Sequence, residues 1–461
     1  MKRTLIISVA VILVIVIGVA TVISYTSLNK KPFYVGVTFG GSTAEEAKVL
    51  IDKVKDYTNL FILQSGTLQS NDTKIEEIGD YAVNSGLNYM VYLGISRVAL
   101  AGSWPESYDG RWGDHFLGVY AIDEPAGRLL DGQTPLRDNK TGNMLIKMPD
   151  GTISGCNIAQ NYTATYMRNG TVQLEVWDKP HPFDYLFYFP NGTIFSANKT
   201  YGNNGPITTY AHYSDISELK YTFDELWQAY PFQRSEDIRQ CFVNYTAGEV
   251  QSARTHSNNT LNVVTADYGL YRYDYEAGYD AILAQFCWNQ SITQEISLVR
   301  GAANMYDKDW GVIITWKYTE APYLPNGEDM YNDMMTAYKN GAKYIAVFNY
   351  ADDMNGPDGT LTEDHFQAIQ RFWNDMQNNN TKHNAKADTA FVLPNSYGSG
   401  LRNIGDNNWG IWAANQTDRE IWQRLQNALS QHGEKLDVVY EDSAHSVTDK
   451  YSQFIYWNQT G

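Results

Sequence analysis

The stretch Phe116-Leu-Gly-Val-Tyr-Ala-Ile122 runs directly into Asp123-Glu124-Pro125. The mostly apolar run is typical of a strand buried on both faces, and the proline predicts that the strand ends there. Because side chains alternate along a strand, Asp123 and Glu124 cannot both point the same way. A carboxylate where a buried strand opens on a cleft is typical of a general acid, and a solvated acidic turn is the alternative.

Strand-like and helix-like segments alternate on both sides of this stretch. Apolar strands are predicted over residues 33–38, 60–63, 89–93, 116–122, 261–266, 281–286, 310–316 and 344–348. Helices are predicted over residues 43–57, 73–84, 222–254, 293–306, 330–340 and 364–376. This alternation predicts an α/β fold, a TIM (β/α)8 barrel over residues 32–380, with a doubly wound sheet as the alternative.

Two further segments interrupt or follow the alternation. Residues 130–215 contain Asp150-Gly151, Asn169-Gly170 and Asn191-Gly192 between short aromatic runs, which predicts a β-rich hairpin insertion after strand 4. A polar linker precedes residues 388–461, which predict a small C-terminal α/β subdomain packed on the barrel.

The N-terminal residues 1–31 predict a membrane anchor. Lys2 and Arg3 precede a charge-free, mostly apolar run from Leu5 to Ile23. As a helix this run spans about 28 Å, close to the hydrocarbon thickness of a bilayer. A cleaved signal peptide is the alternative, although its apolar core would be shorter. The sequence therefore predicts a single-pass membrane protein whose remaining residues lie outside the cell.

The glycosylation motif Asn-x-Ser/Thr recurs along the chain more often than composition suggests. We predict glycans at Asn71, Asn139, Asn161, Asn169, Asn191, Asn198, Asn244, Asn258, Asn379, Asn415 and Asn458. Such enrichment favours a surface glycoprotein, and the alternative is a chain that is simply rich in Asn and Thr. Asn289 also lies in such a motif, but a glycan there would block the site described below.

Composition narrows the possible partners. The net charge of −17 makes nucleic acid and anionic lipid surfaces poor partners, and the 14% aromatic content is compatible with sugar-stacking surfaces. Cys156, Cys241 and Cys287 allow at most one internal disulfide, whose pairing stays open. The sequence contains no HExxH and no clustered histidines, so we expect neither a metal nor a cofactor.

Polar and aromatic residues collect at the predicted carboxyl ends of the strands, where a TIM barrel places its active site. The candidate catalytic residues are Glu124, Glu320 and Asp267, and the candidate substrate-binding residues are Asp123, Tyr268, Trp288, Trp316, Tyr318 and Asn349. Glycosidic cleavage requires a proton donor, a second carboxylate and aromatic surfaces for the sugar rings. The set therefore favours carbohydrate chemistry.

Residues 120–125, Tyr-Ala-Ile-Asp-Glu-Pro, are similar to the strand-four acid motif of TIM-barrel glycoside hydrolases with a strand-seven nucleophile. The resemblance implies that Glu124 is the acid/base, although Asp123 stands where the family has Asn. Residues 313–320 resemble the strand-seven segment and imply that Glu320 is the nucleophile, with Asp267 as the other candidate. Residues 273–280 and 391–398 also resemble uncharacterised archaeal surface proteins.

The sequence therefore predicts an anchored, extracellular glycoside hydrolase acting on polysaccharide or glycoprotein glycans. A catalytically inactive barrel that serves in adhesion or envelope structure is the alternative, because fold alone does not confer activity. A hydrolase of other substrates is less favoured, because the chain has no GxSxG segment. The sugar, the linkage, the stereochemistry and the oligomeric state stay open.

Overall fold

The structure is a computed structural model of the chain. It describes residues 32–94, 105–131, 135–137, 144–147, 152–159, 162–167, 169–176, 184–202, 205–212, 222–228, 234–255, 261–350, 356–378 and 386–459. Within these ranges no helix is long and apolar enough to cross a bilayer. The predicted anchor over residues 1–31 lies outside the described residues.

The first half of the barrel follows the predicted alternation. Its strands are β1 (Tyr34–Phe39), β2 (Leu60–Leu63), β3 (Asn88–Leu93) and β4 (Phe116–Ala121), and its helices are α1 (Ala44–Val54), α2 (Asp72–Asn84), α3 (Pro105–Trp112) and α4 (Pro125–Leu130). The Thr43 hydroxyl accepts the backbone N–H of Glu46 at 3.2 Å and caps the start of α1. Asn71 caps α2 in the same way through the N–H of Lys74.

An antiparallel sheet is inserted after α4. Its strands are β5 (Pro135–Arg137), β6 (Met144–Lys147), β7 (Ile153–Ala159), β8 (Tyr162–Tyr166), β9 (Val172–Val176), β10 (Tyr185–Tyr188), β11 (Ile194–Gly202) and β12 (Gly205–His212). Sequential strands are neighbours throughout. Gly170 and Gly192 have φ of 82°, the left-handed conformation that glycine permits in the turns of β8–β9 and β10–β11. The insertion is therefore the hairpin array that the Asn-Gly dipeptides predict.

The second half of the barrel resumes after two helices. Its helices and strands are α5 (Phe223–Gln228), α6 (Ser235–Thr255), β13 (Val263–Asp267), α7 (Tyr271–Ala277), β14 (Ala281–Phe286), α8 (Ile292–Tyr306), β15 (Asp309–Ile314), α9 (Gly327–Lys339), β16 (Tyr344–Val347) and α10 (Glu363–Asn378). The eight barrel strands form a closed ring in the order β1-β16-β15-β14-β13-β4-β3-β2. This ring of parallel strands is a TIM barrel, so the predicted barrel is confirmed and the doubly wound sheet is excluded.

The strands of the ring are apolar because helices cover their outer faces and side chains fill the interior. Every residue of β2, β4 and β14 is buried. The strand β4 pairs with β13 through Val119–Val263 and Tyr120–Val264, although the insertion separates the two strands along the chain. The ring therefore closes without help from the inserted sheet.

The C-terminal segment adds β17 (Thr389–Leu393), α11 (Gln416–His432), β18 (Leu436–Tyr440) and β19 (Gln453–Tyr456). Its three strands form a parallel sheet in the order β18-β17-β19. Arg300 of α8 pairs with Asp437 of β18 at 2.7 Å, and both side chains are buried. This buried ion pair ties the C-terminal sheet to the barrel helix α8.

Candidate active site at the carboxyl ends of the barrel strands

The chain leaves β4 through a strained turn. Ile122 and Glu124 both have φ of 57°, in the left-handed region that non-glycine residues rarely occupy. Each such residue costs about 1–3 kcal/mol and persists only where its surroundings hold it. The Ile122 N–H donates to the Leu93 carbonyl at 3.0 Å, and the Glu124 N–H donates to the Ala266 carbonyl at 2.9 Å. The strands on both sides of β4 therefore hold the turn.

Asp267, at the end of β13, braces the same turn. Its carboxyl group accepts the backbone N–H groups of Ala126, Gly127 and Tyr268, each at 2.7 Å. The side chain is fully buried, and this burial raises the pKa of Asp267 to about 8. The structure therefore places Asp267 as the cap of the first turn of α4, behind the residues that face the barrel mouth.

Asp123 lies against the aromatic side chains of β3 and β4. The Tyr120 hydroxyl donates a hydrogen bond to its Oδ1, and the Tyr120 ring meets Tyr92 edge to face with 5.4 Å between centroids. Burial, followed by the neighbouring charge of Glu124, raises the pKa of Asp123 to about 7. Asp123 is therefore a half-buried carboxyl group that titrates near neutrality.

Glu124 turns in the other direction, across β13 and towards β14. The Gln285 side-chain amide donates to its Oε1 at 2.7 Å, and Arg128 Nε lies 3.8 Å from its Oε2. The Glu124 side chain is 26% exposed. Together, Asp123 and Glu124 form what we call the β4 exit pair. The Asp123 carboxyl contacts Tyr120 of β4 itself, whereas the Glu124 carboxyl reaches Gln285 of β14.

An open cleft of about 560 Å³ lies at the ends of β14 and β15. It is lined by Trp288, Lys317, Tyr318, Thr319, Glu320, Ala321 and Pro322. The side chains of Trp288 and Tyr318 are 46% and 45% exposed. The backbone N–H of Trp288 donates to the backbone carbonyl of Trp316 at 2.7 Å. This hydrogen bond joins the segments that follow β14 and β15. We call this the Trp288 cleft.

The other predicted site residues take different positions. Trp316 is half-buried and packs against Tyr323, Phe348 and Tyr350, with centroids 5.3–5.9 Å apart. The Tyr268 hydroxyl donates to Asp131 at 2.7 Å. Asn349 is buried, and its Oδ1 accepts the Thr360 N–H at 3.0 Å. These contacts brace loops around the mouth.

The predicted residues thus form two groups. Glu124 and Asp123 meet at the β4 exit, whereas Trp288, Tyr318 and Glu320 line the cleft. Among the described residues that line the cleft, Glu124 does not appear. The strand β14 joins the groups, because Gln285 contacts Glu124 and Trp288 follows three positions later.

Sequence reasoning missed the site roles of Tyr120, Tyr92 and Arg128. Tyr120 lies three residues before Asp123 and Arg128 lies four residues after Glu124, and both spacings were visible in the sequence. Tyr92 carried no local signal, because only the neighbouring position of β3 in the ring brings it to Tyr120.

Within the described ranges, no group of three or more His, Cys, Asp or Glu side chains lies close enough together to bind a metal ion. Cys287 is a buried free thiol, and Cys241 is also buried. Burial raises the pKa of Cys287 well above its usual value, so this thiol is uncharged at neutral pH.

Buried carboxyl groups should make the fold less stable at alkaline pH. Burial raises the pKa values of Asp267 and Glu295 to about 8 and that of Asp333 to about 7. Stability from a group with a raised folded-state pKa is lost as the pH rises through that pKa. We expect the free energy of unfolding to fall by a few kcal/mol between about pH 6.5 and about pH 8.5.

Urea unfolding at the two pH values measures this change. The isosteric variant Glu295→Gln should flatten the dependence, because it removes one of the titrating groups. His365, whose pKa is lowered by burial, acts in the opposite sense mainly below this window. A stability that is constant or higher at the alkaline value would contradict the prediction.

Comparison with known proteins gave matches of structure. No protein-family model and no curated protein sequence matches the chain. GH5_18 from Streptomyces cattleya in complex with GlcNAc aligns over 93% of this chain and 99% of its own, with a TM-score of 0.46 and 9% identity. GH5_18 from Bifidobacterium longum subsp. longum aligns over 93% and 98%, with a TM-score of 0.44 and 8% identity.

A β-galactosidase from the Antarctic haloarchaeon Halorubrum lacusprofundi aligns over 92% of this chain and 68% of its own. Its TM-score is 0.47 and its identity is 11%. An endo-β-1,4-mannanase and a GH113 β-1,4-mannanase also align, so these structural neighbours are glycoside hydrolases. At these identities and TM-scores, the similarity assigns neither a family nor an activity to this chain.

Proposed function

We propose that this chain hydrolyses glycosidic bonds at the mouth of its barrel. The β4 exit pair is the observation that carries the proposal. It combines a carboxyl group that titrates near pH 7 with a carboxylate that accepts a hydrogen bond from Gln285. Glycosidic cleavage requires such a division between a proton donor and a charged carboxylate. In this proposal Glu124 is an essential carboxylate, and Glu320 stays a prediction.

The Trp288 cleft would bind the sugar chain. The exposed faces of Trp288 and Tyr318 provide flat apolar surfaces, and such rings combine a large contact area with a polar edge. Lys317 and Glu320 add a hydrogen-bond donor and an acceptor for hydroxyl groups in the same cleft. The strand β14 connects the cleft with the β4 exit pair, because Gln285 contacts Glu124 and Trp288 follows three positions later. A substrate that extends over several sugar rings would occupy both places.

We also propose that the enzyme works outside the cell, anchored by residues 1–31. Among the predicted glycan acceptors, the exposed side chains are Asn71, Asn169, Asn191, Asn244, Asn415 and Asn458. Those at Asn139, Asn161, Asn258 and Asn379 lie outside the described residues, and Asn198 lies in β11. The exposed positions support a glycosylated ectodomain, because attachment requires access to the asparagine amide.

A screen of the full-length chain against a panel of oligosaccharides and aryl glycosides tests the proposed hydrolysis. Release of reducing sugar from at least one substrate is the expected result. If no substrate in the panel were cleaved, the proposed hydrolase activity would be contradicted. Binding of a glycan without cleavage would support the second candidate function, a carbohydrate-binding surface protein. The separation of Glu124 from the residues that line the Trp288 cleft favours this second candidate.

Replacing Trp288 with alanine should weaken binding of the glycan that the screen identifies. Loss of one aromatic surface is worth about 1–2 kcal/mol, so we expect the Kd to rise about 5–30-fold. Calorimetric titration measures the change. Trp457→Ala, in the C-terminal segment, is the control and should leave the Kd unchanged. Equal affinities for the wild type and Trp288→Ala would remove the cleft from the proposal.

Asn289 should carry no glycan in the native protein, although it is exposed and lies in a glycosylation motif. It directly follows Trp288, and a glycan at this position would cover the cleft. Peptide mapping by mass spectrometry should find Asn289 unmodified while Asn71 or Asn415 is occupied. An occupied Asn289 would argue against a sugar-binding cleft at this place.

A further inference from the structure

The two members of the β4 exit pair have opposite surroundings. Asp123 is half-buried beside the rings of Tyr120 and Tyr92, and its polar partner is the neutral Tyr120 hydroxyl. Glu124 accepts a side-chain N–H from Gln285 at 2.7 Å and has the Arg128 guanidinium 3.8 Å away. Donors and a positive charge favour an ionised carboxylate, whereas burial beside neutral groups favours a protonated one.

We infer that Asp123 is the proton donor of this site and that Glu124 is its charged partner. The assignment rests on the proposed hydrolase function. It differs from the role that the sequence resemblance gives to Glu124, and it adds a catalytic role to a residue that the resemblance makes a substrate contact. It also confines both carboxyl roles to the β4 exit, so that Glu320 serves binding in the Trp288 cleft.

The groups around Asp123 act in both directions, and their net effect raises its pKa. Burial acts most strongly on its pKa, the adjacent Glu124 charge also raises it, and the Tyr120 hydroxyl and Arg128 lower it less. The net result is a pKa of about 7. The pKa of Tyr92 is itself raised to about 12, mainly by burial, so Tyr92 is neutral here. A carboxyl group whose pKa burial raises to about 7 can hold a proton at neutral pH, as a general acid must.

The positions of the two groups suit one sugar between them. Asp123 leans towards β3 and β4, through Tyr92 and Tyr120, whereas Glu124 crosses β13 to reach Gln285 on β14. A glycosidic bond at the mouth would therefore meet the proton donor on one side and the carboxylate on the other. Asp267 positions both, because it holds the backbone of the two residues that follow Pro125.

The reaction balances with these groups and one water molecule. The glycosidic C–O bond breaks, and its oxygen takes the proton of Asp123. The hydroxyl of water forms the new bond to the anomeric carbon, and the remaining proton of water returns to the carboxyl pair. Where the carboxyl groups are about 6.5–9.5 Å apart, Glu124 takes a proton from the water that attacks the anomeric carbon. Where they are about 5–5.5 Å apart, Glu124 bonds to the anomeric carbon as the C–O bond breaks, and water, which gives a proton to Asp123, then displaces Glu124 from that carbon.

A poor leaving group must be protonated as the glycosidic bond breaks, whereas a good one leaves without a proton. Substrates with different leaving groups therefore distinguish the proton donor from the charged carboxylate. With a dinitrophenyl glycoside, whose leaving group needs no proton, Asp123→Asn should keep kcat/KM within about tenfold of wild type. With an oligosaccharide the same variant should lose about 10²–10⁴-fold. Glu124→Gln should lose about 10²–10⁴-fold on both substrates, and Glu320→Gln less than about tenfold on both.

Three results would overturn the assignment. If Asp123→Asn lost the same factor in kcat/KM on both substrates, Asp123 would not be the proton donor. A Glu124→Gln variant that spares the dinitrophenyl glycoside would give Glu124 the acid role. A loss at Glu320→Gln as large as that at Glu124→Gln would move the carboxylate role to the cleft.

A direct titration examines the proton without any substrate. In the full-length chain labelled with ¹³C-aspartate, the Asp123 carboxyl signal, identified by its loss in Asp123→Asn, should titrate near pH 7. Glu124→Gln should lower that midpoint, since it removes the neighbouring negative charge. A midpoint near pH 4 would overturn the inference even in an active enzyme. If Asp123 titrated near pH 7 but the protein cleaved no glycan, the proposed function would be wrong, and so would the catalytic roles that rest on it.

Discussion

Replacing Glu124 with glutamine is expected to lower glycan turnover by about 10²–10⁴-fold while the fold is retained. Glutamine has the shape of glutamate but cannot carry its charge, so the anomeric centre loses its carboxylate. The backbone contact that holds this position, from the Glu124 N–H to the Ala266 carbonyl at 2.9 Å, is untouched. Steady-state kinetics on the oligosaccharide that the wild type cleaves best measures the loss.

The control for this variant is Glu420→Gln on the exposed surface of α11, where the carboxylate pairs with Gln416. It makes the same chemical change away from the barrel mouth and should keep full activity. Equal melting temperatures of the two variants would show that the fold is intact. If Glu124→Gln turned over the oligosaccharide at the wild-type rate, the β4 exit pair would not be the catalytic centre.

Asp267→Ala should destabilise the protein by about 3–5 kcal/mol, more than other single changes at the site. The substitution leaves the buried N–H groups of Ala126, Gly127 and Tyr268 without their acceptor. The turn that carries Glu124 in a left-handed conformation would also lose its brace. Urea unfolding monitored by circular dichroism measures the loss of stability.

Two companion variants make the measurement specific. Asp449→Ala removes an exposed carboxylate of the C-terminal segment and should change stability by less than about 0.5 kcal/mol. Asp267→Asn keeps the volume and one acceptor oxygen, so its loss should be smaller than that of Asp267→Ala. An Asp267→Ala protein as stable as Asp449→Ala would show that the cap contributes nothing.

The barrel was predictable because its strands are apolar and its turns are marked. The strands β2 and β14 have the predicted bounds, since their apolar runs end at polar or turn-forming residues. The helices α1 and α2 begin where Thr43 and Asn71 offer caps. The Asn-Gly dipeptides likewise indicated the hairpins of the insertion.

Other features could not be predicted fully from the local sequence. The helix α7 is buried at nearly every position, including Tyr271, Arg272 and Asp274, so it has no polar face to reveal its period. The predicted strand over residues 116–122 ends one residue early, because Ile122 turns into the left-handed region. The capping role of Asp267 depends on the pairing of β13 beside β4, which local sequence does not specify.

The direct pairing of β4 with β13 has a consequence for how this molecule could change over generations. The chain leaves the ring after α4 and returns to it at β13, yet the two strands at that seam hold each other through their own backbone. The inserted hairpins can therefore lengthen, shorten or be replaced while β4 and β13 remain paired. Descendants of this architecture could acquire new recognition surfaces beside an unchanged chemical centre.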